Sequence, residues 1–538
     1  MLGPHGITSR PREASASPSV SLEKGRYRMR VPSQRLLPIR PATLRNSDPR
    51  SRPQSSTRNN AFFTALLLLL ATGCVVSFGI AYYLFSTRWG TPDLPSSSSS
   101  TDEPPQPQAI EIEAPQTACP SVIPGEKFLV YHTHSGFHNQ RIALENAITL
   151  SHLLNRTLIM SPIRLGKPIR YCNFRSLYNH LQLSDKVGLE HCARLSSDSS
   201  LPPECFVYFD YTHIPWSWLV DFASIQSRHK VLIRGNHTDR WVYGCLGIAE
   251  SDVLTLEESS RYQYRFTDSP NAATGPSDKF SETVSIPKLR ATQESLLHLG
   301  TLFGTSRLLL EDEESARIRR RIREGMTFTN PLLIEISRSI EELLGSHFIG
   351  VHVRLGDGGF LESGEGNTRS IWWTLVHEVL KLTVNDAIAL EASKPLYSSP
   401  PVLAPYTVNT NPASRFSAPR LQCYDRLHTV SQLNPLNTPL YLATDARHPR
   451  DDPSLMIFFK TFPCTFTLAD MVDQLAPLND LVNGADGLKL KPFLLPFVDA
   501  MVLSRAWNVV GTTSSTFSAF VVDVLWPRFH GFDVRERG

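Results

Sequence analysis

Residues 348–357, FIGVHVRLGD in one-letter code, constrain this chain more than any other stretch. Phe348, Ile349, Val351 and Val353 read as a buried β-strand. Side chains alternate across a strand, so His352 and Arg354 share one face while Val351 and Val353 share the other. An arginine where a core strand ends is costly unless an anion meets it. Gly356, with Gly358 and Gly359, lets the backbone turn sharply and come close to a ligand. Two readings stay open: a guanidinium paired with a core carboxylate, or one that receives a phosphate.

Around this strand, short apolar runs alternate with helical periodicity. Residues 127–133 predict a first strand and 156–160 a second. Between them 138–155 predicts a helix, with Ala143, Ala147, Leu150 and Leu154 on one face, so that 127–160 makes one βαβ unit. Strands are predicted at 205–211 and 229–234, a helical segment at 216–222, and helices at 311–324 and 331–344. Beyond the central strand follow helix 371–382, strands 440–444 and 464–467, helix 493–505, strand 507–510 and helix 514–525. The stretch 256–288 reads as polar and irregular, and 393–419 as a long disordered loop. The alternation predicts an α/β architecture with two parallel sheets, one from about 119–300 and one from about 330–530. A length of 538 residues accommodates both.

Residues 61–86 carry no charge and are long enough to cross a bilayer as a helix. Residues 1–60 hold 12 Lys and Arg against Glu13, Glu23 and Asp48. That asymmetry predicts a cytosolic tail, with the rest of the chain in a lumen or outside. The length of the tail and of the apolar run disfavours a cleaved signal peptide. The expectation is a disordered basic tail (1–60), a single-pass type II anchor seated in the lipid bilayer (61–86) and a Ser/Pro-rich stalk (87–118). Two globular domains, 119–325 and 326–538, would follow. With a net charge of only +3, composition gives no sign of a nucleic-acid partner.

Three more constellations join FIGVHVRLGD. Gly136, Phe137, His138, Asn139, Gln140 and Arg141 lie between a predicted strand and helix, where glycine permits the turn and helix-start N–H groups favour an anionic or hydroxyl-rich ligand. A plain capping loop is the alternative. His132, His134 and His138 crowd the same place, but nothing in the spacing demands a metal. Asp445 ends the strand YLAT, beyond which ligands of open α/β sheets sit; it reads as an acceptor for a ribose or guanine edge, or as a helix cap. Residues 511–518, GTTSSTFS, place hydroxyls at a predicted helix start, as a cradle for phosphate oxygens or as caps.

In this order GFHNQR, GVHVRLGD, YLATD and SRAWNVVGTTSSTFS resemble the GDP-fucose protein O-fucosyltransferase family. The resemblance covers roughly 127–160, 340–357 and 438–526. It implies a GT-B-like fold of two Rossmann-like domains facing a cleft, in a Golgi or endoplasmic-reticulum enzyme that inverts the anomeric centre. The donor would be GDP-fucose, with no cofactor and no metal, and the acceptor a protein or glycan hydroxyl. By matching motif, Arg354 would contact the diphosphate and stabilise its developing charge. His352 would line the nucleotide site, Asp445 would hold the guanine, and Ser515, Thr516 and Phe517 would lie along the phosphates and sugar. Gly136 and Asp357 belong to the same donor loops, and Asn139 would reach the fucose or diphosphate from the first domain. No two aspartates are spaced D-x-D, so positive charge is expected from Arg354 and helix termini. Phe137 and His138 stand where the family often carries Arg or Gly. For the general base the candidates are His138, Glu145 and Asp357, His138 first for its ordinary pKa. A catalytically inactive sugar-nucleotide or glycan binder of the same fold is the alternative.

Seven cysteines follow the apolar run, in a compartment that allows disulfides, and Cys172, Cys192, Cys205 and Cys245 are expected to pair among themselves. Of two sequons, Asn155 is expected to be buried at a helix-to-strand join and Asn236 to be the better glycan acceptor.

Overall fold

The computed structural model describes residues 119, 121–195, 201–269, 279–356, 358–392 and 421–535, with the backbone of Glu111–Ile112. The basic tail, the run at 61–86, Asp357 and the loop at 393–419 lie outside these residues. So does the stretch 87–118 apart from Glu111–Ile112, which pairs in parallel with Val482–Asn483. Among the described residues no helix is long and apolar enough to cross a membrane.

The predicted βαβ unit is present. Strand β1 (Phe128–His132) leads through helix α1 (Phe137–Leu154) to β2 (Thr157–Met160), and the two strands pair in parallel. Strands β3 (Val231–Ile233), β4 (Val253–Leu256) and β5 (Leu296–Thr301) complete a parallel sheet in the order β3-β2-β1-β5-β4. β5 was not foreseen, although its LLHL run is apolar and fully buried.

Helices α2 (Glu313–Gly325) and α3 (Pro331–Leu344) connect to the second sheet, each opened by a capping side chain. Asp312 accepts from Ser315 N at 2.8 Å, and Asn330 accepts from Leu333 N at 3.1 Å ahead of Pro331. That sheet holds β6 (Ile349–Val353), β7 (Leu440–Thr444), β8 (Thr465–Phe466) and β9 (Asn508–Gly511), all parallel, in the order β8-β7-β6-β9. Alternation along β6 works as read. Ile349, Val351 and Val353 pack with Trp372 of α4 (Gly359–Trp373), while the other face meets α5 (Lys491–Arg505), so closely that a Cβ on Gly350 would lie 3.0 Å from Leu503. One apolar core runs from β1, β2 and α1 through α3 and α5 to Phe520. Phe137 lies 4.7 Å from Phe497, and Phe328 lies 5.4 Å from both Phe497 and Phe520.

Several expectations fail. Residues 203–210 form two short 3₁₀ turns, and the strand comes only at Tyr211–Ile214, antiparallel to Ile163–Gly166. The stretch 256–288 contains parallel strands Tyr264–Thr267 and Glu282–Ser285, the middle and one edge of a small three-stranded sheet, whose short, polar sequences hid them. The helix expected from 371 already begins at Gly359, because Gly359, Gly364 and Gly366 masked its pattern. Helix 514–525 shrinks to α6 (Thr516–Phe520) before widening into a π-turn at Val521–Leu525.

Disulfides join Cys119 to Cys245, Cys192 to Cys205 and Cys423 to Cys464. Cys245 therefore pairs outside the expected group, and Cys172 keeps a thiol beside His180. The sequon expectations reverse. Asn155 caps α1 at φ 52°, and is exposed, because a left-handed cap turns its side chain away from the helix. Asn236 is half-buried, with its amide bonded to Asp185 and its carbonyl to Thr238.

Candidate donor site at the strand ends

The order β8-β7-β6-β9 reverses between β6 and β9, so the ends of these two strands form the switch point beyond which ligands of open α/β sheets sit. Arg354 follows β6 and Thr512 follows β9. Thr512 stitches the two ends together: its hydroxyl and N–H donate to His352 O at 3.2 and 3.1 Å, and its oxygen accepts from Arg354 N at 2.9 Å. The first sheet reverses between β1 and β5, and the turn after β1 carries Ser135 and Gly136 into α1.

These two turns meet. The Thr516 hydroxyl donates to Asn139 Oδ1 at 3.3 Å. His138 lies edge-on to Phe517 at 5.2 Å, and Arg141 covers the Phe520 ring at 4.1 Å. His352 stacks on Phe517 at 4.2 Å and hydrogen-bonds Ser518 Oγ through Nδ1 at 2.7 Å. Thus Gly136, His138, Asn139, His352, Arg354, Asp445, Ser515, Thr516 and Phe517 all stand at the strand ends and helix starts that converge on this seam.

Their individual chemistry differs from expectation at several points. Arg354 forms an ion pair with Asp445 Oδ2 at 3.0 Å, the two side chains 33% and 25% exposed. Asp445 also accepts from Leu355 N at 2.7 Å and Gly356 N at 2.9 Å. It therefore holds the Arg354 loop rather than capping a helix, and a Cβ on Gly356 would collide with its carboxylate. Ser515 spends its hydroxyl on the N-cap of α6, accepting from Ser518 N. Gly136 has φ −74° and open space where a Cβ would stand, so glycine is not what the turn requires. The left-handed residues are serines: Ser135 at φ 62° and Ser514 at φ 65°, one in each converging turn. Non-glycine residues held there carry strain of about 1–3 kcal/mol, a frequent companion of ligand sites.

The leading candidate for the general base does not keep an ordinary imidazole pKa. Burial among aromatic rings, with the Arg141, His352 and Arg354 charges, pushes His138 well below the usual histidine range, and its Nδ1 has no hydrogen-bond partner. It is neutral and only weakly basic at physiological pH. Burial and the Arg354 charge likewise push His352 down to about 3. Glu145 is buried in an ion pair with Arg141.

Thr512 and Ser518 were not singled out within the hydroxyl run, because spacing alone cannot tell which hydroxyl turns inward. The pairing of His352 with Gly511 decides it, since it brings both residues against the end of β6. Arg141 stood in GFHNQR without a role; its place one turn after His138 was the available signal.

The chain matches no family model. Over 39 residues it is 54% identical to O-fucosyltransferase 30 of Arabidopsis thaliana, a match spanning 7% of this chain and 8% of that relative. Among solved structures it is similar to POFUT1 in complex with GDP, at 10% identity and TM-score 0.35, covering 77% of this chain and 97% of that one. The fucosyltransferase NodZ from Bradyrhizobium aligns at 14% identity and TM-score 0.26, covering 74% and 93%.

Proposed function

We propose that the chain is a GT-B glycosyltransferase of the O-fucosyltransferase kind, moving fucose from GDP-fucose to a protein or glycan hydroxyl with inversion and without a metal. One observation carries this: the turns at the reversal points of two parallel sheets meet through Thr516 and Asn139, beside the Arg354 cation. The short local identity to an O-fucosyltransferase agrees with it.

In this mechanism Asp445 and two backbone N–H groups hold the Arg354 loop, so the guanidinium charge stays at the switch point. There it stabilises the pyrophosphate as the bond from fucose C1 to the β-phosphate oxygen breaks and the electron pair leaves with GDP. Thr516 and Asn139 position the sugar from opposite sides, and Phe517, held against His352, supplies an apolar wall. The acceptor hydroxyl oxygen attacks C1 from the face opposite GDP, and its O–H bond breaks with the proton passing to water, since His138 is only weakly basic. The test is calorimetric titration of the full-length protein with GDP, GDP-fucose and UDP: guanine nucleotides bind and UDP does not, and equal binding of all three would refute the reading.

A second reading, binding without turnover, is favoured by the low basicity of His138 and the pairing of Glu145 with Arg141. Radiolabelled GDP-fucose that binds yet yields neither free fucose nor product would support it. The proposal also places the chain as a type II membrane protein with its globular part in the Golgi or endoplasmic reticulum. Exposed Asn155 provides the check, since a lumenal location predicts an endoglycosidase-sensitive mass there that Asn155→Gln abolishes.

A further inference from the structure

His352 is 5% exposed and Ser518 4%, and Ser518 Oγ lies 2.7 Å from His352 Nδ1. Burial and the Arg354 charge keep the imidazole neutral, so one ring nitrogen carries a proton and the other is a bare acceptor. The hydroxyl decides which. It has a single proton, and among the described residues His352 Nδ1 is the acceptor within its reach. Were Nδ1 protonated instead, the serine oxygen would accept, and its own buried proton would be left without an acceptor. Ser518 therefore donates, Nδ1 accepts, and the ring proton sits on Nε2.

The rest of the ring is held as firmly. Phe517 stacks on it at 4.2 Å with 26° between the planes, and Thr512 bonds the His352 carbonyl through both its hydroxyl and its N–H. Gly511 leaves the space that Ser518 occupies, since a Cβ there would lie 2.7 Å from the serine Oγ. On the opposite edge of the ring, Nε2 meets no hydrogen-bond partner among the described residues. An N–H on so little exposed a side chain calls for an acceptor. His352 shares its strand face with Arg354, whose charge is near enough to lower the basicity of the ring.

We propose that Ser518 is a positioning residue. By donating to Nδ1 it fixes His352 as the Nε2–H tautomer, whose N–H is offered to an oxygen of the bound nucleotide sugar beside the Arg354 guanidinium. The identity of the ligand rests on the glycosyltransferase reading, whereas the tautomer stands without it.

The test is long-range proton–nitrogen NMR of the full-length protein carrying isotope-labelled histidine, with His352 identified by the signals that His352→Gln removes. In the parent, Nδ1 is bare and Nε2 protonated. Ser518→Ala abolishes that preference, so protonated Nδ1 appears, while Ser518→Thr keeps the hydroxyl and retains it. GDP shifts the Nε2 signal of the parent, and Ser518→Ala binds GDP about threefold to tenfold more weakly than Ser518→Thr. A protonated Nδ1 in the parent, or a Ser518→Ala spectrum identical to it, overturns the role of Ser518. Should Ser518→Ala fail to fold, the parent spectrum alone decides the direction of the hydrogen bond. A shifted tautomer with unchanged GDP affinity overturns the contact with the nucleotide. If neither GDP nor GDP-fucose binds the parent, the donor reading fails, and the ligand-free spectra still decide the tautomer.

Discussion

The Thr516 hydroxyl meets Asn139 Oδ1 at 3.3 Å, although 377 residues separate them in sequence. Each stands in the first turn of a helix that leaves a parallel sheet at its reversal point. Asn139→Ala deletes this bridge. One hydrogen bond of this kind contributes about 1 kcal/mol, so the unfolding midpoint should move only slightly. If the proposed transfer holds, turnover of GDP-fucose should fall at least tenfold, mainly in kcat, because in that reading Asn139 orients the sugar. Steady-state kinetics beside thermal unfolding check this; a variant that is as active as the parent would remove Asn139 from the site.

Arg354 and Asp445 should respond unequally to truncation. Their ion pair is about one-third exposed, so its own contribution is under about 1 kcal/mol. Arg354→Ala should therefore leave stability nearly unchanged while weakening GDP by tenfold or more. Asp445→Ala strands the N–H groups of Leu355 and Gly356 and should cost about 1–3 kcal/mol. Urea unfolding and GDP titration of both variants separate the two roles. Equal losses of stability would show that the arginine is chiefly structural.

Much of the candidate site was legible because each of its turns joins a strand to a helix, and that junction is a local pattern. The βαβ unit at 127–160 and β6 with its apolar alternation needed no tertiary information. What Asp445 does was not legible: its partners lie in a loop about 90 residues earlier, brought near by strand pairing. The same holds for His138, whose sequence neighbours give no hint that Phe517 and Phe520 desolvate it. β5 was missed because its apolar run is short, and Cys119 was left out of the expected pairing because its partner Cys245 lies 126 residues on.

Gly511 ends β9 where Ser518 crosses it. A Cβ there would lie 2.7 Å from Ser518 Cβ and 2.7 Å from its Oγ, the atom bonded to His352. Gly511→Ala must push α6 outward or tilt the His352 ring, and overpacking of this kind costs about 1–3 kcal/mol. Phe517, stacked on His352, should move with it, so GDP-fucose affinity should fall along with stability. Ser518→Gly in the same chain removes the obstructing atoms and should restore part of the stability. Denaturant midpoints of the single and double variants provide the comparison, and simple additivity would refute the clash.

Asp499 of α5 accepts from Tyr441 OH at 2.6 Å beneath the second sheet. Burial pushes its carboxyl up to about 7, against the smaller opposing effect of the Tyr441 hydrogen bond. The folded state then holds a proton that the unfolded chain has released above about pH 4. The associated stability is complete below that pH, declines as pH rises toward 7, and stays lost above it. Glu258, paired with Arg307 and pushed up to about 7 by burial, bends the curve the same way, so the parent protein alone cannot isolate Asp499. Asp499→Asn keeps an acceptor for Tyr441 and removes the titration. Its stability relative to the parent should be higher at pH 8 than at pH 5, read from urea unfolding at both. A difference independent of pH would mean that Asp499 is already ionised in the folded protein at pH 5, with the Tyr441 hydroxyl and nearby solvent able to carry its charge.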